Sequence, residues 1–219
     1  MVKIGVFIAG RLNSERLPNK LILPLGDTCL WEIACKKLSE LPDKYEKFVL
    51  CHDDILISIA EKYDLKVIRR NIETTKVDGP LNFIFKDISL SKSDYLMFLN
   101  PCLYNLPVNF IVHSLEKFQE GLEEYSYEYA TSVKEFKNWL YDEFHLITKV
   151  NKNWSTKDIK GYYQAAHAFH IFPKKKFLKT GNLLADDHSR FIVPDIYCLD
   201  VDTKEDYEYA RWFYGKNSN

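Results

Sequence analysis

A chain of 219 residues, 46% hydrophobic and 28% charged, is long enough to bury a sizeable core and has no low-complexity tract, so a globular domain is expected. Its formal net charge of −1 excludes a general nucleic-acid binder, because phosphate-backbone contacts need a basic surface; any basic site must be local. No apolar run reaches the roughly 18 residues of a membrane span, nothing at the N-terminus reads as a signal peptide, and five scattered cysteines (Cys29, Cys35, Cys51, Cys102, Cys198) without C-x-x-C spacing read as reduced thiols of a cytoplasmic protein.

In chain order, residues 3–9 are a fully apolar candidate strand, followed by a basic loop and an amphipathic stretch at about 28–40. The run 47–52 is a second buried strand, 53–64 a helix with an acidic first turn, and 65–69 a third strand. After the turn at Asp78-Gly79-Pro80, "LNFIFKDISL" reads as helix, 94–100 as a fourth strand and 107–122 as a helix with apolar residues at helical spacing. The second half is richer in β-structure, with strands expected at 128–136, 144–150, 167–172 and 191–202. A closing helix follows at 203–214 with Thr203 as its N-cap. Such β-α-β-α alternation predicts an α/β fold: a mostly parallel central sheet with helices on both faces, in one Rossmann-like domain over 1–219. Ligands of such sheets lie beyond the carboxyl ends of the strands, where the basic loop and "NPCLYNLP" both fall.

The first loop gathers Arg11, Ser14, Arg16 and Lys20 within ten residues. A triphosphate needs fixed cations and backbone N–H groups to hold it in one geometry. Arginine offers a planar fork, lysine a compact point charge, and Gly10 would let the main chain approach. By composition alone a charged loop is a solvated one. In "CLDVDTKEDYEYA", Asp200 and Asp202 alternate along an extended segment and so project to one side, beside Asp206 in the first turn of the next helix. Two carboxylates that close repel unless a cation separates them, and oxygen-only ligands suit Mg²⁺ or Mn²⁺. The plainer alternative is that these acids cap the last helix.

The order R-x-x-S-x-R-L-P-x-K after a buried first strand, then "LPLG" and an amphipathic helix, resembles the signature of the nucleotidyltransferases that activate sugars and sugar acids. It is most similar to the cytidylyltransferases that make CMP-sialic acid and CMP-Kdo. The late D-x-D-T-x-E-D ahead of a helix matches the same family. The resemblance implies a nucleotide-diphospho-sugar transferase (GT-A-like) fold and a CTP-dependent cytidylyl transfer to a small acidic or phosphorylated acceptor, phosphoglutamine or a sugar acid, releasing pyrophosphate in capsule or surface-polysaccharide synthesis. It implies that Arg11, Ser14, Arg16 and Lys20 wrap the β- and γ-phosphates, with Ala9 and Gly10 at the strand exit. Arg70 and Gly79 would serve the cytosine, and Asn100 would lie near nucleotide and acceptor. Asp200 and Asp202 would hold Mg²⁺ or Mn²⁺, and Arg11, Arg16, Lys20 and Asp202 would act in the reaction. A homodimer is implied too, with 137–165 as an insertion serving the acceptor lid or the dimer. Where the family carries a glycine pair before the serine, this chain has Leu12-Asn13, and the Kdo branch's aspartate after strand four is absent.

Lys149, Lys152, Lys157, Lys160 and Arg190 are basic residues available to an acidic acceptor, without a defining spacing. His167 and His170 mimic H-x-x-H, but an i, i+3 pair in a regular strand points to opposite faces, which argues against a shared metal. A metal-dependent glycosyltransferase and a non-catalytic nucleotide-binding domain are the alternative readings.

Overall fold

The structure, a computed structural model, describes residues 2–76, 79–124, 127–148, 156–159, 161–186 and 188–217. The elements run β1 (Ile4–Ala9), β2 (Pro24–Leu25), β3 (Thr28–Cys29), α1 (Leu30–Ser39), β4 (Glu46–Cys51), α2 (Asp54–Glu61), β5 (Lys66–Arg69), α3 (Leu81–Ile84), β6 (Tyr95–Leu99) and α4 (Val108–Glu124). The second half follows with β7 (Ala130–Phe136), β8 (Tyr162–Pro173), α5 (Lys174–Thr180), β9 (Ser189–Ile192) and α6 (Lys204–Asn217). Seven strands make one mixed sheet in the order β5-β4-β1-β6-β8-β7-β9, while β2 and β3 form a small hairpin whose turn needs Gly26 at φ 67. The β5-β4-β1-β6 half is parallel, β8 runs antiparallel between β6 and β7, and β9 is parallel to β7.

Along β1 the side chains alternate between two buried layers, which is why the strand reads as an unbroken apolar run. Val6 and Ile8 face a cluster that includes Leu30, Trp31, Ala34, Cys35 and Leu38 of α1 and Ile111, Leu115 and Phe118 of α4. Phe7 faces an aromatic layer, stacking on Phe48 at 5.4 Å and meeting Phe85 and Phe172 edge-on. Gly10 is glycine for this core: a Cβ there would stand 2.7 Å from the Trp31 ring. Close packing by itself thus requires a glycine at position 10. All five cysteines are buried and unpaired, and among the described residues no helix is long and apolar enough to cross a membrane.

Three expectations are corrected. The stretch 191–202 is not one strand, because Pro194 lacks the N–H a ladder needs. β9 stops at Ile192, a 3-10 turn covers Asp195–Tyr197, and Asp200 instead makes a single bridge to Leu103. The described part of 144–150 contributes only an isolated bridge, Tyr141 to Leu146, and "LNFIFKDISL" splits into α3 and a 3-10 turn over Lys86–Leu90. Asp78, Lys149, Lys152, Lys160 and parts of the 137–165 insertion lie outside the described residues.

Candidate active site

The first loop is closed by its own backbone. The Leu12 carbonyl accepts the N–H groups of both Ser14 and Asn19 at 2.9 Å, and Asn19 takes a left-handed φ of 58 to turn the chain into the one-turn helix Lys20–Ile22. Leu21, 3% exposed, anchors that turn in the core, so the flanking Lys20 is held at the cleft. Arg11, Ser14, Arg16, Lys20 and Ala9 line one cavity of about 480 Å³ with Asn100 and Pro101 from the β6 exit. A cleft of about 580 Å³ between α1 and the start of α4 is larger but holds none of these residues.

The late acidic segment meets this loop from the far end of the sequence. Val201 is buried, so Asp200 and Asp202 both project to its other side. Lys20 Nζ donates to Asp202 Oδ1 at 2.6 Å and to the Val201 carbonyl at 3.1 Å across 182 and 181 residues, and Arg16 Nη2 lies 3.0 Å from Asp202 Oδ2. Burial works against the Lys20 ammonium, yet its neighbours raise the pKa above the ordinary value. Cys102 cannot be the decisive one, because burial pushes its thiol up to about 12 and leaves it neutral at pH 7; the carboxylates of Asp202 and Asp200 are. Asp200 is itself pushed up, by burial first and by Asp202 second. Its Oδ2 accepts from Asn100 Nδ2 at 3.3 Å, while its buried Oδ1 has no hydrogen-bond partner. Asn100 is fixed in turn by accepting the Cys102 N–H at 2.9 Å. Asp206 serves the helix: it accepts the Thr203 N–H at 2.8 Å while Thr203 Oγ1 accepts the Asp206 N–H at 3.2 Å, a reciprocal cap on α6.

These residues fit a divalent cation in one respect: two adjacent carboxylates, one with a partnerless buried oxygen, form an all-oxygen donor pair. Among the described residues no group of three or more His, Cys, Asp or Glu side chains could hold a metal alone. A cation here would draw its further ligands from phosphate and water.

Arg70 does not stand in this cleft. It is 4% exposed, with Nη2 donating to the Thr74 carbonyl at 2.5 Å, Nε to Thr74 Oγ1 at 3.3 Å and the guanidinium over the Phe85 ring. These contacts support the 3-10 turn Ile72–Thr75. Its neighbour Arg69 is drawn outward to Asp54 at 2.6 Å.

Sequence reasoning missed the geometry around His167. Thr131 pairs with His170, but Val133 pairs with Ala165, so β8 bulges, and His167 adopts a φ of 52 at the bulge. Ser132 Oγ locks it by accepting the N–H groups of Ala168 and Phe169 at 2.9 and 3.0 Å. The His167 and His170 rings therefore lie 5.6 Å apart instead of on opposite faces. His170 is buried against Thr131 Oγ1 and pushed down to about 4, by burial and then by its histidine neighbours, so it is neutral at pH 7. His167 is exposed and near enough to Asp200 to favour its carboxylate. No sequence signal marks a bulge whose lock sits 36 residues away from Ala168.

The sequence profile of the cytidylyltransferase family matches residues 6–217. No curated protein sequence matches the chain. Among solved structures, a CMP:2-keto-3-deoxy-manno-octonic acid synthetase complexed with CTP is similar over 98% of this chain and 99% of its own, with a TM-score of 0.71 at 12% identity. A 4-diphosphocytidyl-2C-methyl-D-erythritol synthase from Anaerococcus prevotii covers 98% and 96%, with a TM-score of 0.67 at 12% identity. A cytidylyltransferase from Leptospira borgpetersenii covers 96% and 86%, with a TM-score of 0.61 at 17% identity. With nearly its whole length matched by the family profile, the chain belongs to the cytidylyltransferase family and is a nucleotidyltransferase.

Proposed function

We propose that this enzyme transfers CMP from CTP to a small acidic or phosphorylated acceptor, phosphoglutamine or a sugar acid, with release of pyrophosphate, in capsule or surface-polysaccharide synthesis in the cytoplasm. The observation that carries this reading is the convergence of Lys20 and Arg16 on Asp202 beside the cleft at the carboxyl ends of β1 and β6. It brings the cations suited to a triphosphate and the carboxylates suited to a divalent cation into contact.

An acceptor oxygen attacks the α-phosphorus of CTP in line, the bond from that phosphorus to the bridging oxygen breaks, and pyrophosphate leaves with the bonding pair. Arg11, Ser14, Arg16 and Lys20 take the β- and γ-phosphates, and the two cations paired with Asp202 exchange that partner for phosphate oxygens on loading. Their role is positioning and neutralisation of the charge that builds on pyrophosphate. Asp200 and Asp202 would hold Mg²⁺ or Mn²⁺, which supplies charge neutralisation at the phosphates. A phosphoryl acceptor oxygen is already anionic at neutral pH and needs no general base. His167, exposed beside Asp200, is placed to meet the acceptor, whereas Arg190, 5.1 Å over the Tyr163 ring, lines a separate cavity with His188. The test is pyrophosphate release from CTP and Mg²⁺ across a panel of sugar acids and phosphorylated metabolites. Release with a phosphorylated or acidic acceptor is expected; no release with any acceptor, despite tight CTP binding, would overturn the proposal.

A further inference from the structure

Lys37 is a polar side chain that the nucleotide reading leaves unused. It stands in the last turn of α1, half-buried, on the cleft of about 580 Å³ between α1 and the start of α4, outside the cavity of the phosphate loop. Its Nζ donates to the Leu103 carbonyl at 3.0 Å and to the Tyr104 carbonyl at 2.6 Å, 66 and 67 residues away in the chain. Leu103 and Tyr104 are 3% and 5% exposed, so their carbonyls take a donor from within the protein. Burial brings the Lys37 ammonium down to about 7 against the pull of Glu40, yet the neutral amine keeps two N–H groups for the two carbonyls.

These carbonyls belong to the seat of the acidic segment. Leu103 forms the antiparallel bridge to Asp200, the Val201 N–H donates to the Cys102 carbonyl at 3.3 Å, and Asn105 Nδ2 donates to the Ile196 carbonyl at 2.8 Å. From the other side Lys20 holds the Val201 carbonyl and Asp202. The two lysines differ in what a nucleotide does to them. Lys20 lines the phosphate cavity, so a phosphate oxygen competes for its ammonium, whereas Lys37 lies outside that cavity and keeps its carbonyls. We propose that Lys37 is a positioning residue: through the Leu103–Asp200 bridge it holds Asp200 beside Asp202 in the arrangement that takes a divalent cation, and it does so once the nucleotide has drawn Lys20 away. This rests on the reading of Asp200 and Asp202 as the cation site.

The test is calorimetry with CTP, in EDTA and in saturating Mn²⁺, on wild type, Lys37→Met and Lys37→Arg. Because Lys37 lies outside the phosphate cavity, CTP affinity in EDTA should stay within about twofold in all three. In Mn²⁺, Lys37→Met should weaken CTP about tenfold, the loss usual for a group that orients a metal ligand, and Lys37→Arg should recover most of it. Amide hydrogen exchange at Val201, whose N–H is bonded to Cys102, should quicken in Lys37→Met but not in Lys37→Arg. If Lys37→Met does not fold, Lys37→Gln, whose shorter amide leaves room for a water on the carbonyls, is read in its place with the same expectation. An equal loss in EDTA and in Mn²⁺, or no loss in either, would overturn the proposal. Wild type whose CTP affinity is the same in EDTA and in Mn²⁺ would instead overturn the cation reading beneath it.

Discussion

Asp202 is the residue on which the site's charges balance: both its oxygens are occupied by cations suited to the nucleotide. The two contacts differ in weight. Arg16 is 67% exposed, where an ion pair contributes well under about 1 kcal/mol, whereas Lys20 is 15% exposed and screened less. Asp202→Asn is therefore expected to abolish pyrophosphate release, by about 100-fold or more. In EDTA the same variant should bind CTP at least as tightly as wild type, because the amide no longer competes for Lys20 and Arg16. Calorimetry on both proteins decides it, and a loss of metal-free CTP binding would contradict the role given to this ion pair. Asp200→Asn is the control, since it removes a neighbouring carboxylate that makes no ion pair to the loop.

At the level of elements, the sheet is fastened at the end opposite the cleft by Glu46 of β4. Its Oε2 accepts Ser91 Oγ at 2.6 Å, Ser93 Oγ at 2.8 Å and the Lys92 N–H at 3.0 Å, while Oε1 meets Lys66 at 2.9 Å. Burial opposes its charge, but these donors win and hold the carboxyl down to about 2, from an ordinary 4.5. A depressed carboxyl stabilises the fold above its unfolded value, so this contribution is complete above about pH 4.5 and fades as pH falls toward about 2. The gap in denaturant midpoint between wild type and Glu46→Gln should be full at pH 7, narrow below about pH 4.5 and close only at or below about pH 2; a constant gap would disprove the assignment. The strands and helices of the first half were legible because each is a local apolar pattern flanked by polar turns. What escaped depended on distant partners. Pro194 ends β9, yet nothing in the sequence says that Asp200 then pairs with Leu103. His167 is turned by a bulge that Ser132 locks from another strand, and Arg70 looks like a surface arginine until Thr74 and Ile84 offer it carbonyls. The loop's Arg11, Ser14, Arg16 and Lys20 were legible as a group, but the Lys20–Asp202 contact spans almost the whole chain.

For the molecule as a whole, exposed large apolar side chains are scattered, Leu90 and Trp212 among them, but one group runs from the end of β7 to the start of β8: Phe136, Tyr141 at 66% exposure, Phe144 at 78%, Ile147, Tyr162 and Tyr163. A cluster of that kind on a small protein marks a covered surface, and we propose that a second copy of the chain covers it. Sedimentation velocity should show a dimer that Phe144→Glu with Tyr141→Glu converts to monomer while the melting profile keeps a single cooperative transition. A monomeric wild type across the micromolar range would rule this out.

The buried, unpaired cysteines provide a handle on how the molecule opens. Burial lifts the Cys51 and Cys102 thiols to about 12 and raises Cys29, Cys35 and Cys198 as well, so in the native state they are neither accessible nor ionised. A thiol-directed alkylating reagent can react only through openings that expose them. The five sites are spread over the β3–α1 junction, β4, the β6 exit and the segment ahead of Asp200. Labelling followed site by site is therefore a clock for local against global unfolding: Cys102 and Cys198 time the loosening of the cleft, and Cys35 and Cys51 the loss of the core.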